Sequence, residues 1–410
     1  MYQLTPGRER GLLWLLALTQ FTIIMDFMIM MPLGPQLMRT FNIGPAMFAT
    51  AVSTYAWCSG LSSLLAATYI DRYDRRTMLL VVYALFALSN LGCALAPNFS
   101  MLLAARAFAG LTGGVLGSTV MAIVSDVIPP QRRGAATGTI MTAFSMAAVA
   151  GVPAGIVLGA QFGWASPFYL LVVFSLLIWV GSYQIMPALA EHLSKQRIPL
   201  ARALPELWDM MSARRHLRAY ALTVIVISSH MLIIPFISPV LVANYHVEPQ
   251  QLSWIYMAGG AATFFTARWI GKLSDRFGKH VMFRILVLIS MIPILTLTHL
   301  PNIPFLVLVP FFALFMVMVS GRMIPMQALL TTVPAPEHRG AFLSINSAIQ
   351  SLGTGCGAWL GGLLLSSDSA GHILGYGING WLSVALASVT LFWIGQVHGQ
   401  PHNVQPARQA

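Results

Sequence analysis

The chain has 410 residues, of which 57% are hydrophobic and only 9% charged, where a soluble globular protein carries about 25% charged residues. Its mean hydropathy is +0.74, and so little charge cannot dress a water-facing surface, which excludes a soluble enzyme, a disordered scaffold and a small secreted disulfide module. The formal net charge of +11 is no nucleic-acid footprint, because the basic residues gather on no single face or domain. Cys58, Cys93 and Cys356 all lie inside long apolar runs and read as packed free thiols rather than a disulfide framework.

A helix needs about 20 predominantly apolar residues to cross the hydrocarbon core. Such runs fall near 11–33, 46–69, 78–96, 101–125, 135–160, 166–187, 217–243, 251–271, 282–300, 304–329, 340–366 and 377–396; we call them spans 1 to 12. Span 1 follows Arg8 and Arg10. It outruns the roughly 7–15 apolar residues of a signal peptide, so an uncleaved span is expected. Most connections are short, which makes successive helices antiparallel neighbours. The stretch Ala188 to His216 is polar and basic and contains Pro199 and Pro205.

The expected organisation is an N-terminal six-helix bundle (1–187), a cytoplasmic linker (188–216), a C-terminal six-helix bundle (217–400) and a cytoplasmic tail (401–410). Of the 23 Lys and Arg residues, Arg106 and Arg322 lie inside spans, Arg39 alone falls on one side, and the other 20 fall on the side of the termini. By the positive-inside rule, both termini are expected in the cytoplasm.

The two halves repeat at an offset of 204–206 residues. After span 2 the chain reads Ala67-Thr-Tyr-Ile-Asp71-Arg72-Tyr-Asp74-Arg75-Arg76, and after span 8 Gly271-Lys-Leu-Ser-Asp275-Arg276-Phe-Gly278-Lys279-His280. The loop Pro129-Pro130-Gln-Arg-Arg133-Gly134 after span 4 matches Ala335-Pro336-Glu-His-Arg339-Gly340 after span 10. Gly151 and Gly155 match Gly357 and Gly361. Two parallel six-helix repeats around a midplane cavity are the architecture of alternating-access transport. The fold class expected is therefore an all-α membrane protein of twelve helices, in two pseudo-symmetric bundles around a central cavity.

Over essentially its whole length the chain resembles the major facilitator superfamily. The loops after spans 2 and 8 resemble the signature G-x-L-x-D-R-x-G-[RK]-[RK]. The first copy departs from it, with Ala67 and Asp74 in the two glycine places. Arg106-x-x-x-Gly110 resembles the family's arginine motif in helix 4. Gly151-Val-Pro153-Ala-Gly155, followed by Phe162-Gly163-Trp164, resembles its antiporter motif, in the form of the arabinose/sugar-efflux permease branch. The resemblance implies that helices 1, 4, 7 and 10 line the substrate cavity. It also implies an inter-helix charge cluster of Asp71, Arg75 and Asp126 that latches the outward-open state, with Asp275, Arg276 and Lys279 in the second copy. Simple surface charge is the other reading of these residues.

Asp26 is the one acidic residue deep within a span, where a carboxylate costs roughly 2.5–3.5 kcal/mol on insertion scales. Thr19, Thr22 and Asp26 fall at i, i+3 and i+7, a polar stripe suited to a cavity wall. Counted along the helices at about 1.5 Å per residue, Asp26 and Arg106 lie at matching depth and are expected to pair. In the second half His230 sits 204 residues after Asp26, and Arg322 lies just before Pro325 near the midplane. Each group keeps a bland alternative: a purely structural ion pair for Asp26, a packed histidine for His230. Trp57, Trp254 and Tyr256 read as substrate stacking or as ordinary packing.

These features point to a proton-coupled secondary transporter exporting a small organic compound, with Asp26 and Arg106 as the coupling pair. Its substrate cavity would hold Thr19, Thr22, Asp26, Arg106, His230 and Arg322. The excess of arginine over carboxylate there leans towards anionic or neutral polar substrates. A uniporter or importer of sugar or organic anion, or a multidrug exporter, would use the same fold. No Walker A sequence is present, and no cofactor, metal or nucleic acid is expected. The partners are the substrate, protons and the lipid bilayer of a bacterial inner membrane, with a monomer as the working unit.

Overall fold

The computed structural model describes residues 5–129, 132–187, 189, 208–301, 303–335 and 338–398. The expected linker thus lies largely outside the described residues, and the tail wholly so. Helix occupies every expected span. Span 1 is Pro6–Ile29, resumed as Gly34–Thr40, and spans 2, 3 and 4 are Pro45–Tyr69, Arg75–Ala94 and Phe99–Val127. Span 5 is Arg133–Met146 and Val152–Phe162 joined by a π turn over Ala147–Gly151, and span 6 is Ser166–Ile185. In the second half, span 7 is Arg214–Met231 and Ile237–Tyr245, and spans 8 and 9 are Pro249–Phe277 and Lys279–Thr298. Span 10 is Phe305–Gly321 and Met323–Leu330, span 11 Arg339–Leu363, and span 12 Tyr376–Trp393.

Among the described residues, nine of these spans are long and apolar enough to cross a membrane by length and composition. Spans 2, 8 and 11 are of comparable length, but spans 2 and 11 are rich in Ser, Thr and Gly, and span 8 carries Arg268, Lys272, Asp275 and Arg276. All three pack on the other half: span 2 against span 11, and span 8 against span 5.

Local chemistry sets the ends. Pro45 and Pro249 open their helices, where a missing N–H goes unmissed. Asn98 caps span 4 by accepting from the Met101 N–H at 2.9 Å. Gly278 alone separates span 8 from span 9, at φ +91°, a conformation that side chains with a Cβ rarely adopt.

The breaks inside spans have identifiable causes. Pro153 has no N–H for the Val149 carbonyl, and span 5 widens into its π turn just before it. Pro325 likewise cannot serve the Gly321 carbonyl, and span 10 breaks at Arg322.

Packing divides the molecule along the membrane normal. On the face away from the termini one apolar core joins the halves: Met25, Met30, Met31 and Phe48 from the first, Phe236, Val240 and Phe312 from the second. On the terminal face the buried cores are two, one around Leu16, Tyr83 and Ile123, the other around Tyr220, Phe283 and Phe342, with Leu64 of span 2 packed against the second.

Backbones meet closely where glycine permits. A side chain at Gly362 would strike Ala49, one at Gly260 the Ala148 carbonyl, and one at Gly34 both Phe48 and Pro239. Between spans 11 and 12, Ser366–Ser367 and Ile373–Leu374 form a two-stranded hairpin. Asn244 at the end of span 7 clasps it, donating to the Ile373 carbonyl at 2.9 Å and accepting from the Ile373 N–H at 2.8 Å.

Candidate functional site

The arginine of span 4 meets the aspartate of span 1. Arg106 Nη1 donates to Asp26 Oδ1 at 2.6 Å, and both side chains are 0% exposed. Gly110, one turn further along span 4, lets span 2 close on span 4: a Cβ there would strike the Tyr55 carbonyl of span 2. Tyr55 in turn lays its ring under the guanidinium, 4.3 Å from centroid to Cζ.

The pair is held by one bond only. Asp26 Oδ2, Arg106 Nε and Arg106 Nη2 are buried without a hydrogen-bond partner among the described residues. Unpartnered buried polar atoms are expensive, and removing one member of a buried ion pair typically costs about 3–5 kcal/mol. A pair this poorly satisfied is one whose exchange of partners is comparatively cheap.

Thr19 and Thr22 face elsewhere in this state. Thr19 donates to the Leu15 carbonyl at 2.9 Å, and Thr22 shares a 3.0 Å hydrogen bond with Tyr83 of span 3. Both are buried inside the first bundle. The antiporter-motif residues lie beside Asp26 instead. Side chains at Gly151 and Gly155 would strike Met25 and Ile29, the residues flanking Asp26 on its own helix. The Pro153 carbonyl accepts from Ser253 of span 8 at 3.4 Å, so the motif touches both span 1 and the other half.

The second half repeats the arrangement with different chemistry. Arg322 Nε donates to His230 Nε2 at 2.6 Å, and Arg322 Nη2 donates to Ser229 Oγ at 3.2 Å. His230 Nε2 also lies 3.0 Å from the Val319 carbonyl. Arg322 is 1% exposed and His230 5%. Among the described residues Arg322 forms no ion pair. Arg106 and Arg322 therefore sit in separate bundles rather than across one open cavity in this state.

At the terminal face Arg75 Nε donates to Asp126 Oδ2 at 2.8 Å, and its Nη1 to the Ile70 carbonyl at 2.6 Å. The side chain of Asp71 lies outside the described residues. In the second copy Asp275 and Arg276 are exposed, and Lys279 donates to the Ala328 carbonyl of span 10 at 3.0 Å. No ion pair of Asp275 is present among the described residues.

Asp74, which departs from the signature, has a structural task. It caps span 3 by accepting from the Thr77 N–H and hydroxyl, and it holds the Leu189 N–H at 2.7 Å. Partial burial alone would raise its pKa, but these hydrogen bonds outweigh burial and hold the carboxyl below the usual range.

Of the aromatic candidates, Trp57 packs on Trp359 and under Gly355, Tyr256 hydrogen-bonds Ser238 at 2.9 Å, and Trp254 is exposed. Tyr55 and Ser229 are the residues sequence reasoning missed.

Two helical bundles, each burying an arginine against the first helix of its own half, define a membrane transporter of the two-repeat kind. The chain belongs to the Major Facilitator Superfamily, whose sequence profile matches twice, over residues 16–229 and 219–410. It is a multi-pass membrane protein that carries a small molecule, and not an enzyme.

Its relatives include an "Uncharacterized MFS-type transporter" of Bacillus subtilis (strain 168), 25% identical over 355 residues, 86% of this chain and 88% of the relative. A protein of Mannheimia succiniciproducens named "Probable sugar efflux transporter" is 28% identical over 316 residues, 76% of each chain. Among solved structures, a bacterial homolog of the human lysosomal transporter Spinster superposes with a TM-score of 0.77 at 16% identity, over 96% of this chain and 97% of that one. A D-xylose–proton symporter superposes with a TM-score of 0.74 at 15% identity, over 93% and 96%.

Proposed function

We propose that this chain is a proton-coupled exporter of a small organic compound, working as a monomer in a bacterial inner membrane with both termini in the cytoplasm. The observation that carries this reading is the buried Asp26–Arg106 pair, joined by one bond and leaving three polar atoms unsatisfied. With that orientation the joined core lies at the outer face, and the halves part towards the cytoplasm.

The proposed cycle turns on Asp26. When the protein opens outward, water reaches Asp26 and a proton binds Oδ2, the oxygen with no partner. The neutral acid no longer attracts the Arg106 guanidinium, whose free Nε and Nη2 donors stay available. When the protein opens inward, a hydrogen-bond donor of the substrate takes the Asp26 carboxylate in place of the proton, which leaves to the cytoplasm, because substrate and proton compete for one carboxylate. Proton entry then drives substrate exit. The Gly151–Gly155 segment couples this to movement, since it touches both Asp26's helix and span 8. Arg75 and Asp126 would act as the latch on the terminal face.

Efflux is supported by relatives named as sugar efflux transporters. The test is uphill transport in proteoliposomes with an imposed pH gradient, and net flux direction separates export from import. Asp26→Asn should abolish gradient-driven accumulation while leaving downhill exchange. Full uphill transport by Asp26→Asn would sink the proposal and leave the pair a structural one.

A further inference from the structure

Arg322 is a buried guanidinium like Arg106, but its surroundings are those of a cation lacking its anion. It makes no ion pair among the described residues. Its two hydrogen bonds go to neutral groups, an imidazole nitrogen and a serine hydroxyl. Buried charges are ordinarily paired, so a guanidinium kept here asks for an anion elsewhere in the working cycle.

The imidazole shows how that anion would enter. His230 Nε2 has two partners it cannot satisfy together. It must carry a hydrogen to donate to the Val319 carbonyl, and it must offer a lone pair to accept from Arg322 Nε–H. In the neutral form that accepts from Arg322, the Val319 contact is unfulfilled. With a hydrogen on Nε2, as in the imidazolium that also keeps its Nδ1–H or in the neutral Nε2–H tautomer, the ring donates to Val319 and Arg322 is released.

The charged and titratable groups around His230 are few. Span 10 presents Arg322, and span 12 presents the hydroxyl of Ser383 and the phenol of Tyr376, which donates to the Ile233 carbonyl. Span 9 presents Ile294, and span 11 packs Gly357 against Ser228 and Met231.

A narrow void adjoins the cluster, lined by Ser229, His230, Phe315, Val319, Arg322 and Ser383, without room for a water molecule in this state. Arg322 stands at the break between Phe305–Gly321 and Met323–Leu330, where the helix has lost a hydrogen bond to Pro325 and can bend.

We propose that Arg322, Ser229 and His230 form a binding site for the carboxylate of an organic anion, and that filling it brings a proton onto His230. The carboxylate accepts the Nε–H and Nη2–H of Arg322, a geometry that suits a planar guanidinium. His230 Nε2 loses its donor, and the bound anion cancels the field of Arg322 that opposed a positive imidazole. Nε2 then takes a proton from water and gives its hydrogen bond to Val319. The inference rests on the chain carrying a small organic compound, and not on Asp26. It predicts proton uptake on binding, where competition at Asp26 predicts release.

Formate, the bare carboxylate, is the probe, with formamide as its neutral isostere and chloride as the inorganic anion. Purified wild-type protein at constant ionic strength should show a midpoint of thermal unfolding raised by about 2 °C or more with formate, and unchanged with formamide. Arg322→Gln should lose the shift. In weakly buffered solution formate should draw protons onto the wild type and onto Asp26→Asn, but not onto His230→Gln, which should still bind formate. Equal responses to formate and formamide would overturn the site, and so would a full formate shift in Arg322→Gln. Chloride matching formate would overturn the carboxylate assignment. If Arg322→Gln does not fold, the wild-type comparison and His230→Gln decide. Loss of proton-driven transport in Asp26→Asn bears only on the coupling pair.

Discussion

Asp26 and His230 hold the same place in the two halves, 204 positions apart, and each lies within one turn of a break in its helix. Span 1 stops at Ile29 and resumes at Gly34; span 7 stops at Met231 and resumes at Ile237. The segments beyond the breaks meet at Gly34 and Pro239, where the halves are joined. Each ionisable group is gripped by an arginine from the fourth span of its half. In the proposed cycle a change of charge at either position would act on these breaks as hinges, with the joined face as the lever arm.

Tyr55 steadies the Arg106 guanidinium from span 2. Cation–π contacts that exclude water are worth about 2 kcal/mol or more. Tyr55→Leu should lower the thermal midpoint and slow proton-driven transport, whereas Tyr55→Phe, which keeps the ring, should stay close to wild type. Equal loss in both variants would assign the effect to the hydroxyl instead. Paired melting curves and uptake assays decide.

Gly362 lies where span 11 crosses span 2 at the joined face. Overpacking by a side chain costs about 1–3 kcal/mol, a shift of roughly 5–150-fold between states. Gly362→Leu should wedge the joined face open and slow exchange across proteoliposome membranes by that order. Wild-type exchange rates would show that spans 2 and 11 do not pack this way during transport.

The Arg75 side chain donates to Asp126 and to the Ile70 carbonyl among its contacts. Asp126→Asn retains the second contact, and Arg75→Gln retains neither. The Arg75 variant should melt lower than the Asp126 variant. Parity between them would make the ion pair the whole contribution.

Asp74 supplies a pH-dependent anchor. Its folded-state pKa lies below the usual carboxylate range, so its contribution is present above about pH 3.9 and fades as pH falls towards the depressed value. Losing such a cap costs about 0.5–2 kcal/mol. Asp74→Ala should melt below wild type at pH 7, and the gap should close as pH drops through 4 to 3. A gap constant with pH would point to packing rather than charge.

Much of this arrangement is legible in the sequence. Apolar run length marks where helices lie, and counting depth along antiparallel spans brings Asp26 to the level of Arg106. The Arg322–His230 contact is harder to read, because a buried arginine directs the search to carboxylates, and its acceptor is a neutral imidazole. Tyr55 gives no signal at all: an aromatic in an apolar helix looks like packing until the guanidinium is placed above it. Thr19 and Thr22 share a face with Asp26 by period, yet the hydroxyl of Tyr83 draws Thr22 towards span 3. Asp74 reads as a broken signature until its cap and the Leu189 N–H are seen.

The core that joins the halves is rich in one side chain. Met25, Met30 and Met31 lie within it, and Met28, Met38, Met231 and Met316 pack around it. Thioether chains are unbranched and polarisable and fill irregular gaps without a fixed fit. In the proposed cycle this contact parts and re-forms on every turnover, a task such a yielding filler serves well. The same choice brings a chemical weakness: oxidation to the sulfoxide would lodge polar oxygens in the seam, and an oxidant that reached it would stall the protein with its fold intact.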